Sequence, residues 1–433
     1  MIKPNKRVLI ITYYWPPSGG PGVQRCLFFV KYLREFGWEP IVYTIDNGEY
    51  PYIDHSLEKQ IPADIEVIKN RSWEPFNLYK KVMGLSLHEK LKPNVIVEKT
   101  SRPLFQSIAT FIRGNLFIPD SRMFWIRPSV KFLISYLKEN PVDVILSSSP
   151  PHSVQMIGFY LKKELGIPWI ADMRDPWTKI FFWDKLKMTN YAIHKNLLLE
   201  KKVLQTADKV VTVSSSCAID FENISNRKID LITNGFDEIS HNTTNISSNH
   251  FTISYGGTLS SDRNPPLLWK VMSEFLESKP EVKNKFKLQF IGAIDPLVFD
   301  SIESYGLGTY LEKKNPTAHD EYLKDISSCD VLLLIGAKEQ AGVITGKFFE
   351  YLALQKPILA ISPKNSDIEM ILNQTHSGYN ADFEDENEIS KAIYSIFEYY
   401  KDRSKFKPNV LEIETYSRRN LTKQLAILLN NLV

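Results

Sequence analysis

A chain of 433 residues with 43% hydrophobic and 24% charged residues can bury a full core and should divide into two or three domains. Its net charge of only +3 gives no reason to expect a nucleic-acid partner. Cys26, Cys217 and Cys329 stand far apart and fit no metal spacing, so neither a metal site nor a disulfide framework is expected.

Residues 7–12 (RVLIIT) are a continuous apolar run, the pattern of a strand buried on both faces of a parallel sheet. The loop Gly19-Gly20-Pro21-Gly22 follows. Val23, Leu27, Val30 and Leu33 then recur at helical spacing until Gly37, and residues 39–44 (EPIVYT) read as the next strand. Strand, glycine loop, helix and strand are the usual opening of a doubly wound sheet. Asp46 stands where a ribose-binding acid would, but the glycines do not spell G-x-G-x-x-G and Pro21 interrupts them, which argues against a nicotinamide or flavin. The loop either admits a phosphate or sugar beside Arg25, or is simply a tight turn.

Residues 50–130 show no clean period. Residues 67–131 hold twelve Lys/Arg against four Asp/Glu, interleaved with Trp73, Phe76, Tyr79, Phe105, Phe111, Phe117, Phe124 and Trp125. Two readings stay open: an insertion meeting an anionic membrane or acceptor, or a solvated helical face with ordinary core aromatics. Order returns with a strand at 142–147 (VDVILS) and a helix over 154–165. His152 is thereby set at a strand's C-terminal end, where open α/β sheets place ligands. The short strand 168–171 (PWIA) leads into Asp172, Arg174 and Asp175. These form either an internal salt-bridged turn or a group that fixes an acceptor hydroxyl or phosphate. Strands at 209–214 and 230–233 precede a turn at Asn234-Gly235 and a polar linker.

A second alternating unit begins with strand 251–255 (FTISY), a glycine loop from Gly256 to Arg263 and a helix over 267–276. Strands recur at 286–291, 331–335 and 357–361. Between the last two, Thr345 is predicted to cap a helix carrying Phe348, Phe349, Leu352 and Leu354. Bare N–H groups at such a start favour an anion, Gly346 admits it closely and Lys347 adds charge. Glu350 shares a helix face with Lys347, so the stretch fits a diphosphate at the tip and a ribose one turn in, or merely a core helix with a surface ion pair. Helices follow at 387–400, capped by Asn387, and at 417–432, with Leu421, Leu425, Leu428 and Leu432 on one stripe.

The organisation expected is a first Rossmann-like domain over 1–235 with the 50–130 insertion and a linker over 236–250. A second Rossmann-like domain spans 251–410, and a terminal helix in 411–433 packs back on the first. No signal peptide opens the chain and no apolar run approaches the roughly 18–20 residues of a membrane span, so a cytoplasmic protein, at most at the membrane's inner face, is expected.

Together these pieces resemble the retaining glycosyltransferases of family 4. The resemblance rests on Gly19-Gly20-Pro21-Gly22 with Arg25, His152, Asn234-Gly235-Phe236-Asp237, the run from Gly257 to Arg263 and the run from Gly346 to Pro357. The stretches IADMRDPW and GKFFEYLALQKPILAI are similar to members that build bacterial surface polysaccharides. The resemblance implies an α/β chain of GT-B architecture, two Rossmann-like domains facing across a cleft, the first on the acceptor side and the second binding the nucleotide sugar. It implies transfer of a sugar from a nucleoside diphosphate donor to a saccharide or lipid-linked saccharide, without metal or other cofactor.

It also implies roles. Gly19, Gly20, Gly22 and Arg25 would face the donor, and His152 the transferred sugar. Arg263, Lys347, Gly257, Thr258 and the backbone at Thr345 and Gly346 would hold the diphosphate, and Glu350 the ribose. Asp172 or Asp175 would orient the acceptor. Two positions depart from the family: Gly342 stands where the first of two glutamates is usual, and Thr258 where an arginine is. The rival readings are a nucleotide-sugar epimerase, a phosphorylase, for which no cofactor lysine is identified, and a non-catalytic nucleotide-sugar-binding protein.

Overall fold

The computed structural model describes residues 6–50, 52–74, 103–180, 182–237, 250–316 and 319–433. Phe76, Tyr79 and residues 238–249 of the expected linker lie outside them. The chain forms two compact units: Met1–Thr233 with Leu421–Val433, and Asn234–Asn420.

The first unit is built on β1 (Lys6–Thr12), β2 (Trp38–Ile45), β3 (Glu66–Asn70), β4 (Val144–Ser149), β5 (Trp169–Met173), β6 (Lys209–Thr212) and β7 (Asp230–Leu231), all parallel, in the order β3-β2-β1-β4-β5-β6-β7. Its helices include α1 (Pro21–Tyr32), α2 (Pro103–Leu116), α3 (Met123–Glu139), α4 (Ser153–Leu165), α5 (Asn190–Thr206) and α6 (Ser215–Ser225). Successive strand residues point to opposite faces, and both faces are covered, which is why the central runs are apolar throughout. Leu9, Ile11, Tyr43 and Trp169 pack on one face with residues of α3 to α6. Val8, Ile10, Val42 and Ile170 pack on the other with α1 and with Leu421, Leu425, Ala426 and Leu429. Those last four belong to the C-terminal helix Arg418–Asn430.

The second unit has β8 (Phe251–Gly256), β9 (Phe286–Ile291), β10 (Leu311–Lys314), β11 (Val331–Ile335), β12 (Ile358–Ile361) and β13 (Gly378–Ala381), again parallel, in the order β10-β9-β8-β11-β12-β13. Its helices include α7 (Pro266–Ser278), α8 (Pro296–Ser304), α9 (His319–Ser327), α10 (Gly346–Ala353), α11 (Asp367–Thr375) and α12 (Glu386–Lys401). In each sheet the chain leaves the central pair in opposite directions, between β1 and β4 and between β8 and β11. That divergence opens a crevice at the strands' C-terminal ends.

Two local expectations are corrected. Thr345 occupies the cap position of α10, but its hydroxyl makes no cap bond and Oγ1 is buried without a partner. The cap of α12 is Asp385, which accepts from Glu388 N, so Asn387 lies inside the helix. In the basic, aromatic stretch the two open readings divide by residue. Trp125 is fully buried and stacked on Tyr43 at 5.5 Å, whereas Trp73 is 58% exposed. Along α2, Ile108, Phe111, Ile112 and Leu116 are all exposed.

Candidate functional site

At the first switch point the predicted charges are turned inward. Arg25, on α1, donates from Nε and Nη2 to the Asp172 carboxylate at 2.8–3.1 Å and from Nη1 to the Thr233 carbonyl. Asp172, at the end of β5, accepts in addition from Ser148 Oγ at 2.6 Å and is 1% exposed. Neither side chain is available to a donor or an acceptor in this geometry, which corrects the roles expected for both. Asp172 and Arg174 do not form an internal salt-bridged turn either. The Arg174 guanidinium donates to the carbonyls of Ser149, Pro150 and Gly22, tying the β4 and β5 loops to the start of α1.

The first glycine loop is fixed from the other side. Gly19 N donates to Tyr52 O, Asp54 N donates to Pro17 O, and Ser18 bridges Ile53. Gly20 has φ +90, and a Cβ there would meet nothing within 4 Å. Gly22 lies beside Tyr14 and Arg174. Asp46 pairs with Arg71 at 2.8 Å.

His152 precedes α4, where Asp120 accepts from the backbone N–H and hydroxyl of Ser153. The ring is 8% exposed and its Nδ1 has no partner. Burial, with Arg174 nearby, brings the imidazole down to about 4 against the opposing pull of Asp120, so it is neutral at physiological pH. Trp177 stacks flat on it, with centroids 4.7 Å apart and planes 6° from parallel. Trp177 is itself pinned: its Nε1 donates to Asn196 Oδ1 at 3.0 Å and its backbone N to the buried Glu200. Sequence reasoning passed over this indole because α5, which holds it, went unread. Asp175, two residues before Trp177, is exposed, and crowding by protein atoms pushes its carboxyl up, with Arg174 opposing and Asp172 adding to the rise.

At the second switch point the predicted residues do converge. β8 ends at Gly256, and Gly257 follows with φ +100, a backbone that favours glycine. Gly257 N donates to Ile291 O at 2.8 Å, and a Cβ on Gly292 would stand 2.3 Å from Gly257 O, so the two glycine turns lie back to back. Lys347, in the first turn of α10, reaches under this loop. Its Nζ lies 3.1 Å from where a Cβ on Gly257 would be, donates to the Tyr255 hydroxyl at 2.7 Å and stands 4.2 Å from the Tyr255 ring centroid. Arg263 closes the turn after the loop and acts electrostatically on both Lys347 and Tyr255. That turn is held by Trp269, which donates to Asn264 Oδ1 at 2.7 Å. Burial first, then the like charge of Arg263, bring the Lys347 amine down to about 7, with Glu350 opposing. Gly346 is exposed, and a Cβ there would meet nothing within 4 Å. Glu350 is half-buried one turn further along, and Thr258 is exposed at the loop's crest. Chemically, this is a concentration of basic side chains and open backbone at a strand end, suited to an anion.

No protein-family model and no curated protein sequence matches this chain. Solved structures do. A glycosyltransferase from Rickettsia africae superposes with a TM-score of 0.63 at 14% identity, covering 99% of each chain. A sucrose-phosphate synthase from Thermosynechococcus elongatus gives 0.62 at 14%, again covering 99% of each. An Anabaena protein, HepE, solved in complex with UDP and glucose, gives 0.59 at 13% over 98% of this chain and 99% of its own. The fold is GT-B. At these identities the likeness shows fold alone. Among the described residues no group of His, Cys, Asp or Glu is arranged to hold a metal ion, and no helix is long and apolar enough to cross a membrane.

Proposed function

We propose that the protein is a retaining glycosyltransferase of family 4 that moves a sugar from a nucleoside diphosphate to a hydroxyl acceptor in surface-polysaccharide biosynthesis. The observation that carries this reading is the convergence of Lys347, Arg263 and the Gly257 loop between β8 and β11. The structural neighbours agree in kind: the Rickettsia africae protein is a glycosyltransferase, and HepE was solved with UDP and glucose.

In this reading the diphosphate rests against the Gly257 loop and the start of α10 at Thr345 and Gly346. As the glycosidic bond breaks, charge builds on the leaving diphosphate, and Arg263 and Lys347 stabilise it without metal or other cofactor. Glu350 holds the ribose, and neutral His152 meets the transferred sugar as a hydrogen-bonding group rather than a charge. Asp175, rather than the buried Asp172, orients the acceptor; its exposure supports this. The exposed stripe Ile108, Phe111, Ile112 and Leu116 with Trp73 supports contact between the first unit and an anionic membrane bearing a lipid-linked acceptor.

Incubation with a panel of nucleoside diphosphate sugars and saccharide acceptors tests the reading. A donor is consumed, the diphosphate is released, and NMR of the product shows the donor's anomeric configuration retained. Turnover without any acceptor would mean an epimerase, and inversion would remove the retaining assignment. Liposome binding that does not weaken as salt rises would count against the anionic membrane contact.

A further inference from the structure

The glycine loop after β8 rests on three phenols to which the reading above gives no part. Gly256 N donates to Tyr351 OH at 3.0 Å, and the Tyr322 ring fills the space a Cβ at Gly256 would need. The Tyr255 hydroxyl donates to Thr258 O at 2.8 Å. A carbonyl can only accept, so the phenol proton is committed there and the phenol oxygen must accept the N–H of Lys347 at 2.7 Å. Loop, phenol and amine are thus one hydrogen-bonded unit, and the amine lies against the ring as well.

The groups that face this amine are Tyr255 from β8, Arg263 from the turn beyond it, Glu350 from its own helix, and Tyr322 from α9 through its interactions with Tyr255 and Glu350. Burial pushes the Tyr255 phenol up, so it stays neutral and offers no counter-charge. Resting on the diphosphate site above, we propose that Tyr255 is a positioning residue that holds the Lys347 amine beneath the Gly257 loop, and that a nucleoside diphosphate bound there draws one proton onto that amine. The step is amine plus solvent proton giving ammonium, with no other bond made or broken. With the anion absent, a second buried cation beside Arg263 is unfavourable; with it present, the ammonium is matched. The device keeps repulsion out of the empty site and confines the second positive charge to the loaded one.

Calorimetric titration with UDP, GDP and dTDP at pH 8, in buffers of different ionisation enthalpy, tests this. The ligand's terminal phosphate is already ionised at that pH and contributes no proton. The diphosphate that binds is accompanied by uptake approaching one proton per site. In Lys347→Arg, whose guanidinium stays charged, binding weakens but remains measurable, and uptake falls to near zero. Lys347→Gln gives the same loss of uptake should the arginine variant fail to fold. Tyr255→Phe keeps the ring but removes an acceptor that favours the ammonium, so half-uptake moves to lower pH, a change that a purely structural role would not produce. Binding with no buffer dependence, or equal uptake in Lys347→Arg, would overturn the inference and leave the diphosphate site standing. Failure of all three nucleotides to bind would overturn the site itself, and the inference with it.

Discussion

The two switch points carry similar residue types and use them in opposite ways. In the first unit Arg25, Asp172 and Arg174 are buried and satisfied by one another, by Ser148 and by backbone carbonyls. In the second, Lys347 and Arg263 are brought near each other, and the amine's partner is a neutral phenol. Buried opposite charges fix loops, whereas two basic side chains brought together at an open glycine turn, one of them on a neutral phenol, suit an incoming anion. The difference separates scaffold from site more clearly than residue type does, since a sequence motif shows an arginine in both places.

Substitutions can set the two regions against each other. Lys347→Ala with Arg263→Ala should lower donor kcat/KM by about 10²–10³-fold, as expected for removing preorganised stabilisation of a leaving anion, while urea unfolding changes little. Asp172→Ala should do the reverse in kind. It strands the Arg25 guanidinium in the core, and urea denaturation should show a loss of about 3–5 kcal/mol. Trp177→Leu removes the face on which His152 stacks. About a tenfold loss in kcat with KM nearly unchanged would mark that ring as a positioning group. The most gradual effect comes from His152 titration. In the unfolded chain it takes up its proton near 6.5, but in the fold only near 4, so its contribution is complete above pH 6.5 and is lost as pH falls toward 4. For one proton the slope is at most about 1.4 kcal/mol per pH unit, readable as a difference in stability between the wild type and His152→Gln.

Much of the fold was legible because central parallel strands are buried on both faces. β9 and β11 fall on the residues their apolar runs predict, and β1, β2, β4, β5, β8 and β12 lie within two residues of theirs. The strands that went unread, β3, β10 and β13, are at sheet edges, where half of each residue pattern faces solvent and the run turns polar. The convergence of Lys347 with the Gly257 loop could be anticipated because both lie at strand ends. Tyr255 could not, since a residue near the end of an apolar strand gives no local sign that its hydroxyl turns toward a helix 92 positions away. The Arg25–Asp172 pair was equally invisible. Its members are 147 residues apart, and each sits beside glycines or charges that suggest a ligand locally.

Calorimetric titration of UDP, GDP and dTDP into the wild-type protein and into Lys347→Ala and Glu350→Ala tests the central claim most directly. One diphosphate is expected to bind the wild type, and both substitutions to weaken it at least tenfold, Lys347→Ala more than Glu350→Ala. Binding that neither substitution alters, or no binding by any of the three, would contradict that claim.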